Sequence, residues 1–284
     1  MLRLPAPAKL NLFLRITGRR ADGYHNIQTL FQLLDYGDEL EFKLRADNAI
    51  RVTTICANNL TQDSAVAPID AQTNLVTRAA RHLQQASGCT LGADITLTKR
   101  LPIGGGLGGG SSDAATTLIG LNQLWGLGIS IDMLADMGVA LGADIPVFVR
   151  GRTAWAEGIG DKLEAVEMPN RWYLVLAPNC QVSTATIFND QELTRNSPPI
   201  TIRAFRGQGA ENACQAVVEK RHPEVKKARL WLAGYAAAQM TGTGACVFAS
   251  FEEETQAAVV LAEKPEHWQG FIARGINLSP VHSR

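Results

Sequence analysis

The sequence predicts an α+β fold in two parts. Three observations carry that expectation. Candidate strands and helices mix without regular βα alternation, which argues against a doubly wound sheet. A glycine-dense loop, 104–110, joins one amphipathic strand to one helix. Composition shifts near 150–160, where Gly151, Gly158 and Gly160 sit among charged residues, so a boundary is placed between 155 and 156. The chain of 284 residues is long enough for two such parts.

The elements follow in order. From Lys9 to Ile16 the pattern alternates, with Leu10, Leu12, Leu14 and Ile16 on one face and Lys9, Asn11, Phe13 and Arg15 on the other. Arg20-Ala21-Asp22-Gly23 is a turn signal. Strands are expected over 26–34, 39–44 and 50–56, then a polar irregular stretch over 57–73. Asn74 should cap a helix carrying Leu75, Val76, Ala79, Ala80 and Leu83, stopped at Ser87-Gly88. Residues 93–99 read as a strand, Ser111-Ser112-Asp113 opens a helix to Trp125, and Ser130 starts another that ends near Gly142. Ile145 to Val149 reads as a short apolar strand. In the second part, strands are expected over 172–176, 245–251 and 271–278, and helices near 183–188, 211–221, 224–236 and 252–264. Residues 189–200 read as a loop.

Charge narrows the function classes. Twenty-seven basic and 27 acidic residues balance, so a broad electrostatic footprint for nucleic acid is not expected, while a local anion site is. No stretch reaches the ~18 apolar residues of a membrane span, and no signal peptide is recognised. The five cysteines are scattered and form no CxxC pair, which fits a reduced cytoplasmic protein with inert thiols and no zinc or other metal cluster.

The loop Leu101-Pro-Ile-Gly-Gly-Gly-Leu-Gly-Gly-Gly-Ser-Ser-Asp113 carries the strongest chemistry. Glycines let the backbone approach a ligand, and a helix N-terminus offers unpaired N–H groups to phosphate. Ser111 and Ser112 can cap the helix or contact phosphate or metal, and Lys99 and Arg100 add positive charge. GxxxxGK[ST] is absent. GxGxxG is met formally by Gly104, Gly106 and Gly109, but the preceding strand ends in Lys-Arg-Leu-Pro, unlike a buried first strand of a dinucleotide fold. An NAD-dependent oxidoreductase would also need an acidic residue ending a second strand ~20 residues on, and the candidate, Asp132, lies in a helical stretch.

The loop resembles the glycine motif of the GHMP kinase superfamily, Pro-x-x-x-Gly-Leu-Gly-(Gly)-Ser-Ser, with one additional glycine between Pro102 and Ser112. PAPAKLNL (5–12) is similar to the superfamily's N-terminal motif and MTGTGACVF (240–248) to its third. Segments 7–38, 101–116, 141–151 and 241–248 resemble one branch in particular, whose members phosphorylate the 2-hydroxyl of CDP-methylerythritol in a non-mevalonate isoprenoid route. PAKLNL, DGYH and GADIPVF together are far more specific than the glycine loop alone.

The resemblance implies a ribosomal protein S5 domain 2-like N-terminal domain, 1–155, that binds ATP, and a ferredoxin-like C-terminal domain, 156–284. It implies Asp144 as general base and Lys9 as its electrostatic partner at the acceptor hydroxyl, with Asn11 on the substrate. A tertiary alcohol is a very weak acid, so a positioned base is useful. Tyr24 and Phe188 would cover the two faces of the cytosine, His25 would bond its edge, and Thr184 would lie nearby. Pro102, Gly104, Gly105, Gly106, Leu107, Gly108, Gly109, Gly110, Ser111 and Ser112 would hold the ATP phosphates, with Asn74 and Lys99 at the adenine. Gly242, Thr243 and Gly244 would approach from the second domain, Thr243 and Gly244 on the substrate side. Mg2+ is implied with the ATP. Ser183 stands where relatives carry proline, and Asp113 where some carry asparagine. The expected partner is a small molecule, with no nucleic acid and no membrane, and the expected state a monomer or weak homodimer. A homoserine- or mevalonate-type kinase and a non-catalytic nucleotide-binding module are the alternatives.

Overall fold

The computed structural model describes residues 1–57, 74–207 and 211–282; most of the polar stretch expected over 57–73 lies outside them. The first half contains β1 (Leu2–Arg19), β2 (His25–Arg45), β3 (Ile50–Cys56), α1 (Leu75–Ser87), β4 (Gly92–Lys99), α2 (Gly109–Leu124), α3 (Ile131–Val139), α4 (Ile145–Arg150) and the hairpin β5 (Ala154–Glu157) and β6 (Lys162–Ala165). The second contains β7 (Trp172–Ala177), α5 (Thr184–Phe188), α6 (Ile202–Gly207), α7 (Gln215–Arg221), α8 (Pro223–Ala233), β8 (Ala238–Met240), β9 (Val247–Phe251), α9 (Glu254–Glu263) and β10 (Gln269–Ile276).

Strand order is β3-β4-β2-β10-β7-β9-β8, with β1 and β5 also paired to β2. Among the named strands of the described residues only β3 and β4 pair with each other in parallel. Closing strand β10 joins the halves, because Gly275 and Ile276 pair with Leu34 and Leu33 of β2. One core lies between the first sheet and α1–α4, built on Phe31, Leu33, Phe42, Leu118 and Phe148. A second lies under α7–α9, built on Leu174, Leu176, Val218, Leu232 and Val247.

Several expectations need correction. Ile145 to Val149 is helix α4, not a strand. A short apolar run buried on all sides has the same signature in either state. Here Pro146 opens the helix and Gly151, at φ 64°, closes it. The two strands expected over 26–34 and 39–44 are one 21-residue strand; Gly37 permits the continuation, since a Cβ there would meet the Ala6 carbonyl oxygen at 2.0 Å. In β1 a register irregularity between Asn11 and Leu14 breaks strict alternation, so Leu12 and Phe13 share one cluster. The hairpin β5–β6 and helix α6 lie in segments where no element was expected. Cys214 and Cys246 are buried and desolvation pushes both thiols up to about 12, but Cys56 is exposed.

Candidate active site

A cavity of about 900 Å³ runs between the halves. Its floor is the glycine loop. Helix α2 begins at Gly109, earlier than the serines, and its N-cap is Gly108 in the left-handed region with no side-chain cap. The first helical hydrogen bond is Ser112 N–H to Gly108 O, at 2.8 Å. The N–H groups of Gly109, Gly110 and Ser111 therefore precede the helical ladder, at the positive end of a 16-residue helix. All three residues line the cavity. Such an arrangement of free N–H groups can receive an anion.

A second glycine turn packs on the first. Ala245 N–H donates to Gly104 O at 3.3 Å, and Cys246 N–H to Gly105 O at 3.1 Å. The approach demands glycine: at Gly106, φ +74°, a Cβ would lie 2.3 Å from the Thr241 carbonyl oxygen.

Lys9 and Asp144 meet beside the middle of the loop. Lys9 is 3% exposed, yet its ammonium has three anionic or polar neighbours. It donates to Asn11 Oδ1 at 2.6 Å and Gly106 O at 2.9 Å, and lies 3.4 Å from Asp144 Oδ2. Asp144 occupies the N-cap position of α4 but makes no capping bond, so its carboxylate is left to the cavity. Asn11 is held in turn by its amide donating to Thr29 Oγ1 at 2.9 Å.

Tyr24, His25, Thr184 and Phe188 also line the cavity. Tyr24 stands on the rim, 59% exposed, while His25 is buried. Phe188 stacks on His25, with centroids 5.2 Å apart, an arrangement absent from the sequence reading. The Thr184 and Thr243 hydroxyls bond each other at 2.9 Å.

Asn74 caps α1 by accepting from Val76 N–H at 2.9 Å, and with Leu75, Val76 and Leu97 lines an apolar side of the cavity. Lys99 lies there too, but its ammonium is committed to Asp38 and Asp113. Burial would lower the Lys99 pKa; Asp113 and Asp38 outweigh it and the pKa is raised. Asp38 also accepts from the N–H groups of Arg100 and Leu101, at 2.5 and 2.8 Å. Asp113 has no such help: burial, and then Asp38, push its carboxyl up to about 8. Its Oδ1 has no partner.

Most of the expected site residues therefore line one cavity: Lys9, Asn11, Tyr24, His25, Asn74, Lys99, Pro102, Gly104 to Ser111, Asp144, Thr184, Phe188 and Thr243. Two do not. Ser112 is fully buried in α2 with an unpartnered hydroxyl, because the helix starts three residues before it and turns it inward. Gly244 is absent from the lining, and a Cβ on it would meet Met240 Sδ at 2.9 Å and Val218 Cγ1 at 3.3 Å. Asp38 and Arg195 were not anticipated. Asp38 sits in the gap left between the two expected strands, 26–34 and 39–44, and Arg195 in a polar loop without a motif.

The sequence matches the family model for the GHMP kinases N terminal domain over residues 74–152, and that for the GHMP kinases C terminal over 200–269. It is 54% identical over 283 residues to a 4-diphosphocytidyl-2-C-methyl-D-erythritol kinase of Pseudomonas paraeruginosa (strain DSM 24068 / PA7), covering 100% of this chain and 97% of that one. Identity to the kinase of that name from Alkalilimnicola ehrlichii (strain ATCC BAA-1101 / DSM 17681 / MLHE-1) is 53% over 280 residues, 99% and 93% of the two chains. A crystal structure of 4-(cytidine 5'-diphospho)-2C-methyl-D-erythritol kinase superposes with a TM-score of 0.81 at 28% identity, over 97% of this chain and 100% of that one. Homoserine kinase from Cytophaga hutchinsonii ATCC 33406 shares the fold, with a TM-score of 0.68 at 19% identity over 98% and 95%. With its glycine loop, its second glycine turn and full-length identity above one half, the chain belongs to the 4-diphosphocytidyl-2-C-methyl-D-erythritol kinase family of GHMP kinases.

Proposed function

We propose that this protein transfers the γ-phosphoryl group of ATP to the 2-hydroxyl of 4-diphosphocytidyl-2-C-methyl-D-erythritol, in non-mevalonate isoprenoid precursor synthesis. The observation that carries the reading is the place of the Lys9–Asp144 pair, in one cavity with a phosphate loop and an aromatic cluster. The triphosphate lies on Gly104 to Ser111 and the adenine on the side of Asn74, Leu75 and Leu97. The cytosine lies by Tyr24, His25 and Phe188, which leaves the acceptor hydroxyl at Asp144.

Asp144 takes the hydroxyl proton as the oxygen attacks the γ-phosphorus, and the bond to the β-phosphate oxygen breaks to release ADP. Lys9 holds positive charge beside both the carboxylate and the entering phosphoryl oxygens, where charge builds in the transition state. Its donation to Gly106 O ties it to the loop that holds the phosphates.

Among the described residues no group of three or more His, Cys, Asp or Glu side chains is placed to hold a metal. The cavity does offer the Ser111 hydroxyl and the Asp144 carboxylate. That set fits magnesium that arrives on the nucleotide and keeps most of its ligands from phosphate and water. When bound it supplies neutralisation of phosphate charge.

The division of labour between 1–155 and 156–284, a monomeric or weakly dimeric state and a cytoplasmic setting belong to the same proposal; no helix among the described residues is long and apolar enough to cross a membrane.

The test is ADP release with ATP, magnesium and the cytidyl substrate, with homoserine and mevalonate as controls and Asp144→Asn alongside. Turnover confined to the cytidyl substrate and lost in Asp144→Asn supports the reading. Turnover with a control acceptor alone overturns the substrate, and silence with every acceptor despite ATP binding overturns the enzyme.

A further inference from the structure

Arg195 lies outside the cavity lining, in the loop after α5, yet it reaches the cavity through His25. Its Nε–H donates to His25 Nε2 at 3.1 Å. Three of the other four donors go to backbone carbonyls: Nη1 on Leu193 at 3.2 Å, and Nη2 on Phe188 at 3.0 Å and Asp190 at 2.5 Å. A guanidinium so anchored from three sides has little freedom to turn away. It ties the turn that carries His25 to the end of the helix that carries Phe188, and so accounts for the stacking of the two rings.

An arginine has five donors and no acceptor, and it does not deprotonate. The His25 nitrogen facing it must therefore present a lone pair. Burial, and then the positive charges of Arg195 and Arg19, hold the imidazole pKa below its ordinary value, so the ring is neutral at pH 7. A neutral imidazole with its lone pair on Nε2 carries its single proton on Nδ1. That is the ring's one remaining polar atom, and His25 lines the cavity.

We propose that Arg195 is a positioning residue for base specificity, which fixes His25 as an Nδ1–H donor aimed at the acceptor edge of the pyrimidine in a cytidine diphosphate handle. The inference rests on the proposed substrate reading and deepens it. Cytosine offers a lone pair at N3 and another at O2. Uracil carries a proton at N3, which a fixed donor opposes. Without Arg195 the proton is free to sit on either ring nitrogen, and the other tautomer accepts where this one donates.

Two measurements test it. Nitrogen-15 spectra of the histidine-labelled protein read the tautomer directly, with no need for activity. Titration calorimetry with CDP and UDP reads its consequence. In the wild type His25 is expected as the Nδ1–H tautomer, with CDP preferred over UDP. In Arg195→Met a tautomer mixture is expected, with CDP binding weakened about tenfold and the CDP-to-UDP preference reduced by a similar factor. ATP affinity should stay within about twofold, since the hydrogen bonds of Arg195 go to His25, Leu193, Phe188 and Asp190 and not to the glycine loop. Arg195→Lys, which keeps a donor, should restore part of the preference, and this separates positioning from general loosening of the loop. A wild-type His25 protonated on Nε2, or an Arg195→Met protein with the wild-type tautomer and base preference, overturns the proposal. A wild type with the expected tautomer that binds neither CDP nor UDP overturns the substrate reading, and the specificity role with it.

Discussion

Replacing Lys9 by methionine keeps the length of a buried side chain and removes its charge. Lys9 Nζ lies 3.4 Å from Asp144 Oδ2. At an effective dielectric of about 20 two unit charges at that separation attract by roughly 5 kcal/mol. The Asp144 side chain is 33% exposed, so water screens part of this. A charge-assisted hydrogen bond is worth about 1.5–3 kcal/mol net. The transition-state share is then about 2–4 kcal/mol, which predicts a kcat lower by roughly 30- to 10³-fold. The fold should survive. Asn11 Oδ1 and Gly106 O each lose a donor at about 1–3 kcal/mol, but the ammonium is no longer desolvated and Asp144 keeps its water. Single-turnover ADP release measures the loss, and circular dichroism checks the fold. Lys9 acts together with Asp144, so Lys9→Met combined with Asp144→Asn should lose little beyond the worse single variant. A Lys9→Met enzyme that retains more than a tenth of wild-type kcat, or fully additive losses in the double variant, would refute the pairing.

Gly106→Ala places a Cβ 2.3 Å from the Thr241 carbonyl oxygen, whereas a Cβ at Gly104 meets nothing within 4 Å. Both sit at positive φ, so each alanine costs about 1–2 kcal/mol in backbone strain, and thermal melting should show Gly106→Ala clearly the less stable of the two. Tyr24→Ala removes a rim aromatic; base stacking is worth about 1–3 kcal/mol, so steady-state kinetics should show KM for the cytidyl substrate up roughly 10–100-fold with Tm unchanged. Asp113, raised to about 8 by burial, holds a proton in the folded protein that the unfolded chain releases above pH ~4. Its contribution to stability therefore declines as pH rises from ~4 to about 8, then levels off. Melting from pH 6 to 9 should fall more steeply for the wild type than for Asp113→Asn, and parallel curves would remove the buried proton from consideration.

What could be read from the chain depended on how local the determinant is. Asn74 and Gly88 bound α1 as expected, because a cap and a left-handed glycine are decided within a few residues. The place of the glycine loop between a strand and a helix was legible for the same reason. Helix α4 was not, since five consecutive buried residues, 145–149, carry no periodicity. Asp38 was not, because its role is set by Lys99 and by backbone N–H groups 62 and 63 residues away. Arg195 meets His25 across 170 residues, and nothing near either position announces it. Ser112 and Gly244 were expected on the ligand and are absent from the cavity lining: a helix that starts at Gly109 turns Ser112 inward, and Gly244 lies in the second glycine turn.

The Gly106 carbonyl explains why one loop can serve both binding and chemistry. It accepts from Lys9 Nζ at 2.9 Å and from Thr241 Oγ1 at 3.3 Å. The Thr241 hydroxyl in turn accepts from Asn11 N–H at 2.9 Å. The first strand, the phosphate loop and the second glycine turn thus converge on one oxygen. A shift of the loop would also pull Lys9 from Asp144. Under the proposed mechanism the phosphate and the base are therefore positioned by the same contacts, which favours phosphoryl transfer because its catalysis rests on placement and charge. It also explains why the loop needs glycine at 106 on grounds other than nucleotide access: the space a side chain would take there belongs to the Thr241 backbone.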